Sequence, residues 1–183
     1  MGIIANQFSR NEVILRKPGK DDGLAIYQLI KQSPPLDLNS SYNYHLLSSH
    51  FADTCVVAEF NRELVGFLSA YLMPGDAETL FVWQVAVDQS MRGKQIARLM
   101  LSSLLSRPEC RRARFLETTV NPSNTASRKL FEGYARDWGG HIEEGMFLDE
   151  SSFEDDCHES EILLRIHLKQ TEFQLKEKIY ANI

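Results

Sequence analysis

The stretch Val85-Ala86-Val87-Asp88-Gln89-Ser90-Met91-Arg92-Gly93-Lys94-Gln95-Ile96-Ala97-Arg98-Leu99-Met100-Leu101 runs from an apolar strand through a basic, glycine-containing turn into a helix with apolar periodicity. The first amides of a helix lack intrahelical partners and carry the positive end of its dipole, so a turn of this kind is suited to an anion. Arg92, Lys94 and Arg98 add positive charge around it. Three such cations suit a solvated helix face equally well, and the flanking sequence has to decide between the two.

Toward the N-terminus, Thr79 to Val87 reads as a strand that is apolar almost throughout except at Gln84, as in a strand covered on both faces. Thr54 to Glu59 and Leu64 to Tyr71, joined by Phe60-Asn61-Arg62-Glu63, read as a β-hairpin. Val13 to Arg16 is a short strand, and Asp21 or Asp22 can cap a helix running to about Lys31. Ser33-Pro34-Pro35 must end that helix, Leu36 to Ser41 is a loop, and a second short helix covers Tyr42 to Ser49. Toward the C-terminus, the helix after the turn reaches about Ser106. Arg114 to Val120 is then a strand, Ser123 to about Asp137 a helix and Glu161 to Leu168 a last strand. Residues 139–160 are rich in glycine and acids and carry no assignable pattern, and 169–183 fit either a helix or a tail. Strand–helix–strand crossovers in the second half call for a mixed sheet with helices on both faces. The expectation is one α/β domain over 1–183, with its core at about 12–168.

The totals are those of an ordinary soluble globule, 43% apolar and 25% charged. The N-terminus lacks the cationic start and apolar run of a signal peptide, and no apolar run approaches the ~18 residues of a membrane span. Cys55, Cys110 and Cys157 are few and far apart, which fits a reducing cytoplasm and not a disulfide scaffold. The net charge of −5 is unevenly spread: Arg92 to Arg136 holds ten Lys/Arg, and Asp137 to Leu164 holds ten carboxylates with no Lys or Arg. That segregation suggests one site for an anion and another for a cation. Asp149 to Glu161 lacks calcium-loop spacing and Cys157-His158 lacks zinc spacing, so no metal is expected. Arg111-Arg112-Ala113-Arg114 reads as a solvated strand entry in an acidic chain, so neither a nucleic-acid nor a membrane partner is expected.

Val85-Ala86-Val87, the Arg92-Gly93 turn with its helix, and a further strand leading into Asn121-Pro122-Ser123-Asn124 together resemble the GCN5-related N-acetyltransferase (GNAT) fold, a central mixed, mostly antiparallel sheet flanked by helices. The family turn follows Gln/Arg-x-x-Gly-x-Gly/Ala; here Arg92 and Ala97 fit, and Gln95 stands where Gly is expected. Three blocks narrow the resemblance to the diaminobutyrate acetyltransferases of ectoine synthesis within that superfamily: Pro34 to Tyr44, Phe81 to Val87, and Leu116 to Asn124. The likeness covers about residues 12–168. The activity it implies is acetyl transfer from acetyl-coenzyme A to the γ-amino group of L-2,4-diaminobutyrate, in the cytoplasm and with a homodimer as one assembly. Two rivals stay open. One is a GNAT enzyme for another amine (a polyamine, an aminoglycoside or a protein N-terminus), and the other is a non-catalytic acetyl-coenzyme A-binding module.

The resemblance also assigns residues. The coenzyme pyrophosphate would lie on the amides of Arg92, Gly93, Lys94, Gln95, Ile96 and Ala97. The pantetheine arm would pair with the backbone of Gln84, Val85, Ala86 and Val87, an amide near Val85 facing the thioester oxygen. Asn124 matches the family's coenzyme-contacting Asn, a role compatible with a plain helix N-cap. Diaminobutyrate carries two ammonium groups, so its pocket needs carboxylates. Asp37 and Glu117 are the expected pair, Glu117 also taking part in catalysis. A turn cap competes for Asp37, and the solvent face of an edge strand for Glu117. Asn39, Tyr42, Trp83, Thr118 and Glu161 complete the expected amine site, although core is the commoner role for an aromatic such as Trp83. His158 could relay the amine proton or simply be exposed. Many family members carry a proton-donating Tyr where this chain reads Leu130-Phe131, so the acid is unassigned among Tyr42, Tyr44 and Tyr134.

Overall fold

The computed structural model describes residues 12–137, 140–154 and 158–168. Its strands are β1 (Ile14–Arg16), β2 (Val56–Phe60), β3 (Glu63–Met73), β4 (Asp76–Val87), β5 (Phe115–Val120), β6 (Ile142–Leu148) and β7 (Glu161–His167). The helices are α1 (Gly23–Lys31), α2 (Ser41–Leu47), α3 (Ile96–Leu105) and α4 (Thr125–Asp137). The strands form one sheet in the order β1-β2-β3-β4-β5-β7-β6. Every neighbouring pair is antiparallel except β4 with β5.

The hairpin between β2 and β3 turns at Asn61 and Arg62, both with positive φ (52° and 68°), the left-handed pair whose twist suits adjacent strands. β6 lies in the stretch that the sequence left unassigned. Ile-Glu-Glu-Gly-Met-Phe-Leu does not alternate, and it is a strand because β7 supplies its hydrogen-bonding partner. Before α1, Asp22 stands at the N-cap position but does not cap forward. Its carboxylate instead accepts from the Gly19 amide at 2.6 Å and from both terminal nitrogens of Arg16 at 2.7 and 2.9 Å. The expectations for residues 169–183 and for Cys157 lie outside the described residues.

Two apolar cores cover the two faces of the sheet. On one face α1 and α2 bring Ile26, Ile30 and Tyr44 against Val57, Phe67 and Ala86. On the other, α3 and α4 bring Met100, Leu104, Phe131 and Tyr134 against Leu68, Leu116 and Leu164. Gly66 lets α3 approach β3 closely, since a Cβ there would lie 2.9 Å from the Ala58 Cβ and 3.2 Å from the Met100 side chain. Each fully buried Leu or Ile contributes about 1.5–3 kcal/mol, so these cores hold the sheet rigid beneath the site.

Candidate functional site

The site begins where two strands separate. β4 and β5 pair only at Thr79↔Phe115, Leu80↔Leu116 and Phe81↔Glu117, after which no ladder joins them. The edge of β4 beyond Phe81 therefore has no strand partner on the β5 side among the described residues. β4 also carries a bulge there: Ser69 pairs with Gln84 and Ala70 with Val82, so Trp83 is an extra residue. A bulge lets two successive side chains face the same side. Trp83 is accordingly 42% exposed, not core, while Gln84 is 4% exposed and turned toward α2.

Two cavities open along the gap. The larger, about 430 Å³, is lined by Pro34 to Leu36, by Val85 to Val87, by the turn residues Arg92, Gly93 and Gln95 to Arg98, and by Asn124 and Leu130. Gly93 and Gln95 both adopt positive φ (77° and 61°), which bends the chain so that α3 starts with Ile96 at the cavity wall. Gln95 is the N-cap residue of α3 and its side chain makes no capping bond, so the first amides of the helix have no side-chain acceptor. Arg92 lies at this wall and donates from Nε to the Val87 carbonyl at 3.1 Å. Two expected cations serve other partners. Lys94 folds its ammonium back on the Met91 sulfur at 3.3 Å and is not part of the wall, and Arg98 pairs with Asp137, which offsets its charge. Gln84, expected to meet the coenzyme through its backbone, lines the adjoining smaller cavity and not this one.

The smaller cavity, about 150 Å³, is lined by Asp37, Asn39, Trp83, Gln84, Thr118, Thr119, Asn121, Phe131 and Glu161, among others. It shares Pro35, Leu36, Val85, Asn124 and Ser127 with the larger one, so the two meet at the β4 edge. Asn124 caps α4 through its side-chain oxygen, which accepts from the Ser127 amide at 3.1 Å, and it also borders both cavities. Asn121 donates to Glu161 at 2.9 Å, fixing that carboxylate on the wall. Next to it, Glu159 accepts from the Ser123 amide at 2.9 Å, a bond that draws its carboxyl below the ordinary range.

The expected carboxylate pair is not assembled. Asp37 is on the wall, whereas Glu117 sits one step before the strands part, 7% exposed and outside the lining. Arg165 of β7, its cross-strand neighbour, donates to it at 2.6 Å and lies 4.0 Å over the Phe115 ring. An inward carboxylate in an apolar strand needs such a partner, and this one comes from 48 residues away in sequence. The carboxylates brought together are Asp37 and Glu161. Tyr42, on α2, is 68% exposed and outside the lining, and His158 stacks on Phe153 (ring centroids 4.3 Å apart) and is likewise outside it. Asn121, Thr119 and Phe131 were not singled out for the amine site. The Asn121-Pro122-Ser123-Asn124 turn carried the available signal for the first of them. Among the described residues no group of His, Cys, Asp and Glu is arranged to hold a metal ion.

The Acetyltransferase (GNAT) family model matches residues 24–134. The chain is 52% identical over 153 residues to the L-2,4-diaminobutyric acid acetyltransferase of Bordetella parapertussis, covering 83% of this chain and 82% of that one. The protein of the same name from Marinococcus halophilus is 44% identical over 158 residues, 86% and 91% of the two chains. Among solved structures, diaminobutyrate acetyltransferase EctA from Paenibacillus lautus, in complex with its substrate L-2,4-diaminobutyric acid and coenzyme A, superposes with a TM-score of 0.84 at 45% identity. That match covers 86% of this chain and 96% of that one. Ard1 from Thermoplasma volcanium, at 17% identity and a TM-score of 0.69 over 86% of this chain and 99% of that one, shares the fold.

Proposed function

The chain belongs to the GNAT acetyltransferase family, and from that premise we propose that it acetylates the γ-amino group of L-2,4-diaminobutyrate with acetyl-coenzyme A, giving the N4-acetyl product of ectoine biosynthesis. The observation that carries the reading is the meeting of two unlike cavities at one strand edge. One is walled by a helix start and an Arg, the other by two carboxylates.

The larger cavity suits the coenzyme. Orphan amides at Ile96 to Arg98 and the guanidinium of Arg92 fit a pyrophosphate, and the unpartnered edge of β4 fits the amide-bearing arm. An amide of that edge near Val85 can donate to the thioester oxygen and stabilise the negative charge that develops on it during attack. The smaller cavity suits the diamine. An ammonium beside a carboxylate is held charged, and only an unprotonated amine attacks. Asp37 and Glu161 therefore hold the α-ammonium and steer the γ-nitrogen, which gives one proton to bulk water before it attacks the thioester and a second to water as the tetrahedral adduct collapses to the amide and thiolate. Phe131 has no proton to give, so α4 does not protonate the leaving thiolate from that position. Thiols are far stronger acids than alcohols (the Cys side chain titrates at about 8.5), so the coenzyme can depart as thiolate and take its proton from solvent.

The described residues act as one catalytic domain. No described helix is long and apolar enough to cross a membrane. The cytoplasm, where cysteines stay reduced, suits the activity, and a homodimer is the assembly we retain. The test is to incubate the protein with acetyl-coenzyme A and diaminobutyrate and assign the product by NMR. The γ-acetyl product is expected; a mainly α-acetylated product, or turnover confined to polyamines or peptide N-termini, refutes the reading.

A further inference from the structure

We propose that Gln84 and Tyr44 are positioning residues: together they clamp the loop bearing Asp37 and Asn39 to the strand edge that receives the acetyl donor. The inference rests on the acceptor assignment above and names what sets the amine's distance from the thioester.

The bulge at Trp83 is the starting point. By adding one residue it turns the Gln84 side chain to the α1–α2 face, and the Gln84 amide then bonds to the Ser69 hydroxyl at 3.2 Å. The carboxamide Nε2 donates to the Asp37 carbonyl at 2.8 Å. Its oxygen accepts from the Tyr44 hydroxyl at 3.5 Å, and that hydroxyl in turn accepts from the Asn39 amide at 3.2 Å. Tyr44 is wholly buried, its ring edge-on to Tyr27 and Phe67, so the hydroxyl has a fixed anchor. The loop is thus tied at residue 37 and again at residue 39 to one carboxamide. That carboxamide is one residue from Val85, the position shared by both cavities. Asp37 itself is exposed and has no helix or strand of its own to hold it. One bond to a rigid strand and one to the buried Tyr44 of α2 replace that support, and near-attack placement is where sub-ångström errors are costly.

Gln84 is needed as an amide, because one end must donate and the other accept. In Gln84→Glu the shape is kept but an oxygen faces the Asp37 carbonyl, and in Tyr44→Phe the bridge to Asn39 is lost. Each variant is expected to raise KM for diaminobutyrate about tenfold while KM for acetyl-coenzyme A stays within about twofold. Amide exchange at Asn39, followed by NMR, should quicken in Tyr44→Phe by a similar factor. A merely structural role would lower kcat through the active fraction, with both KM values unchanged, and that result overturns the clamp. Faster exchange with wild-type kinetics overturns it as well. Should the wild-type protein ignore diaminobutyrate but acetylate another amine, the substrate assignment fails, and the same KM split measured on that amine decides the clamp separately.

Discussion

Gln95 occupies the left-handed region (φ 61°, ψ 13°) at the start of α3, a conformation natural to Gly and costly to a residue with a Cβ. The cost is about 1–2 kcal/mol, and replacing it by Gly gives back about 0.5–1 kcal/mol through the freer unfolded chain. The side chain is exposed and makes no capping bond, so truncation removes no favourable contact. Gln95→Gly should therefore stabilise the fold by about 0.5–1 kcal/mol, raising Tm by about 1–4 °C for a chain of this size. Gln95→Ala is the control: it removes the same side chain but keeps the Cβ, and should leave Tm near wild type. Thermal and urea unfolding followed by circular dichroism measure both. Equal Tm values for the Gly and Ala variants, or a Gly variant less stable than wild type, would show that backbone strain at this turn is not a term in stability.

Replacing Arg92 by Ala should weaken coenzyme binding about ten- to a hundredfold, as loss of a charge-assisted contact of about 1.5–3 kcal/mol requires, with the amine KM little changed; calorimetric titration with coenzyme A checks it. Asp37→Asn and Glu161→Gln should each lower kcat/KM for diaminobutyrate at least about tenfold. Glu117→Gln, by contrast, should lose about 1–3 kcal/mol of stability by unpairing Arg165 while leaving the amine KM near wild type, and steady-state kinetics beside urea melts separate the two behaviours. Hydrogen bonding from Arg16 holds the Asp22 carboxyl below the ordinary carboxylate value. Its folded pKa lies below the unfolded one, so its stabilisation is complete above about pH 4 and is lost as pH falls through the folded value. Asp22→Asn should flatten that acid limb in unfolding curves taken from pH 6 downward.

The hairpin, β4, the basic turn and α3 were legible because each carries its own signal: alternation, β-branched residues, and an apolar stripe after Gly93. Three features were not. The inserted Trp83 breaks alternation in a run that is apolar in either register, so sequence alone does not show that Trp83 and Gln84 share a side. β6 exists only as the partner of β7, and its Glu143-Glu144-Gly145 suits an edge better than any period does. Glu117 is an inward carboxylate answered by Arg165, and nothing local to either residue announces the pair. For the proposed site, the Arg92-Gly93 turn and Asp37 drew notice through a motif and a rigid loop, and each lines a cavity. Glu161 was expected in the amine site from the resemblance, but only the fold, which carries β7 alongside β5, puts it on one cavity wall with Asp37.

The shared wall between the two cavities bears on how the acetyl group travels during turnover. Because the cavities adjoin at Val85 and Asn124 and do not coincide, donor and acceptor can be resident together. Among the described residues, no Cys, Lys or His lines either space. The described thiols, Cys55 and Cys110, are buried elsewhere, with burial pushing both up to about 11. Direct passage within a ternary complex is the expected route, and it is checked by initial-rate lines at several fixed concentrations of the second substrate, which should intersect; parallel lines refute it.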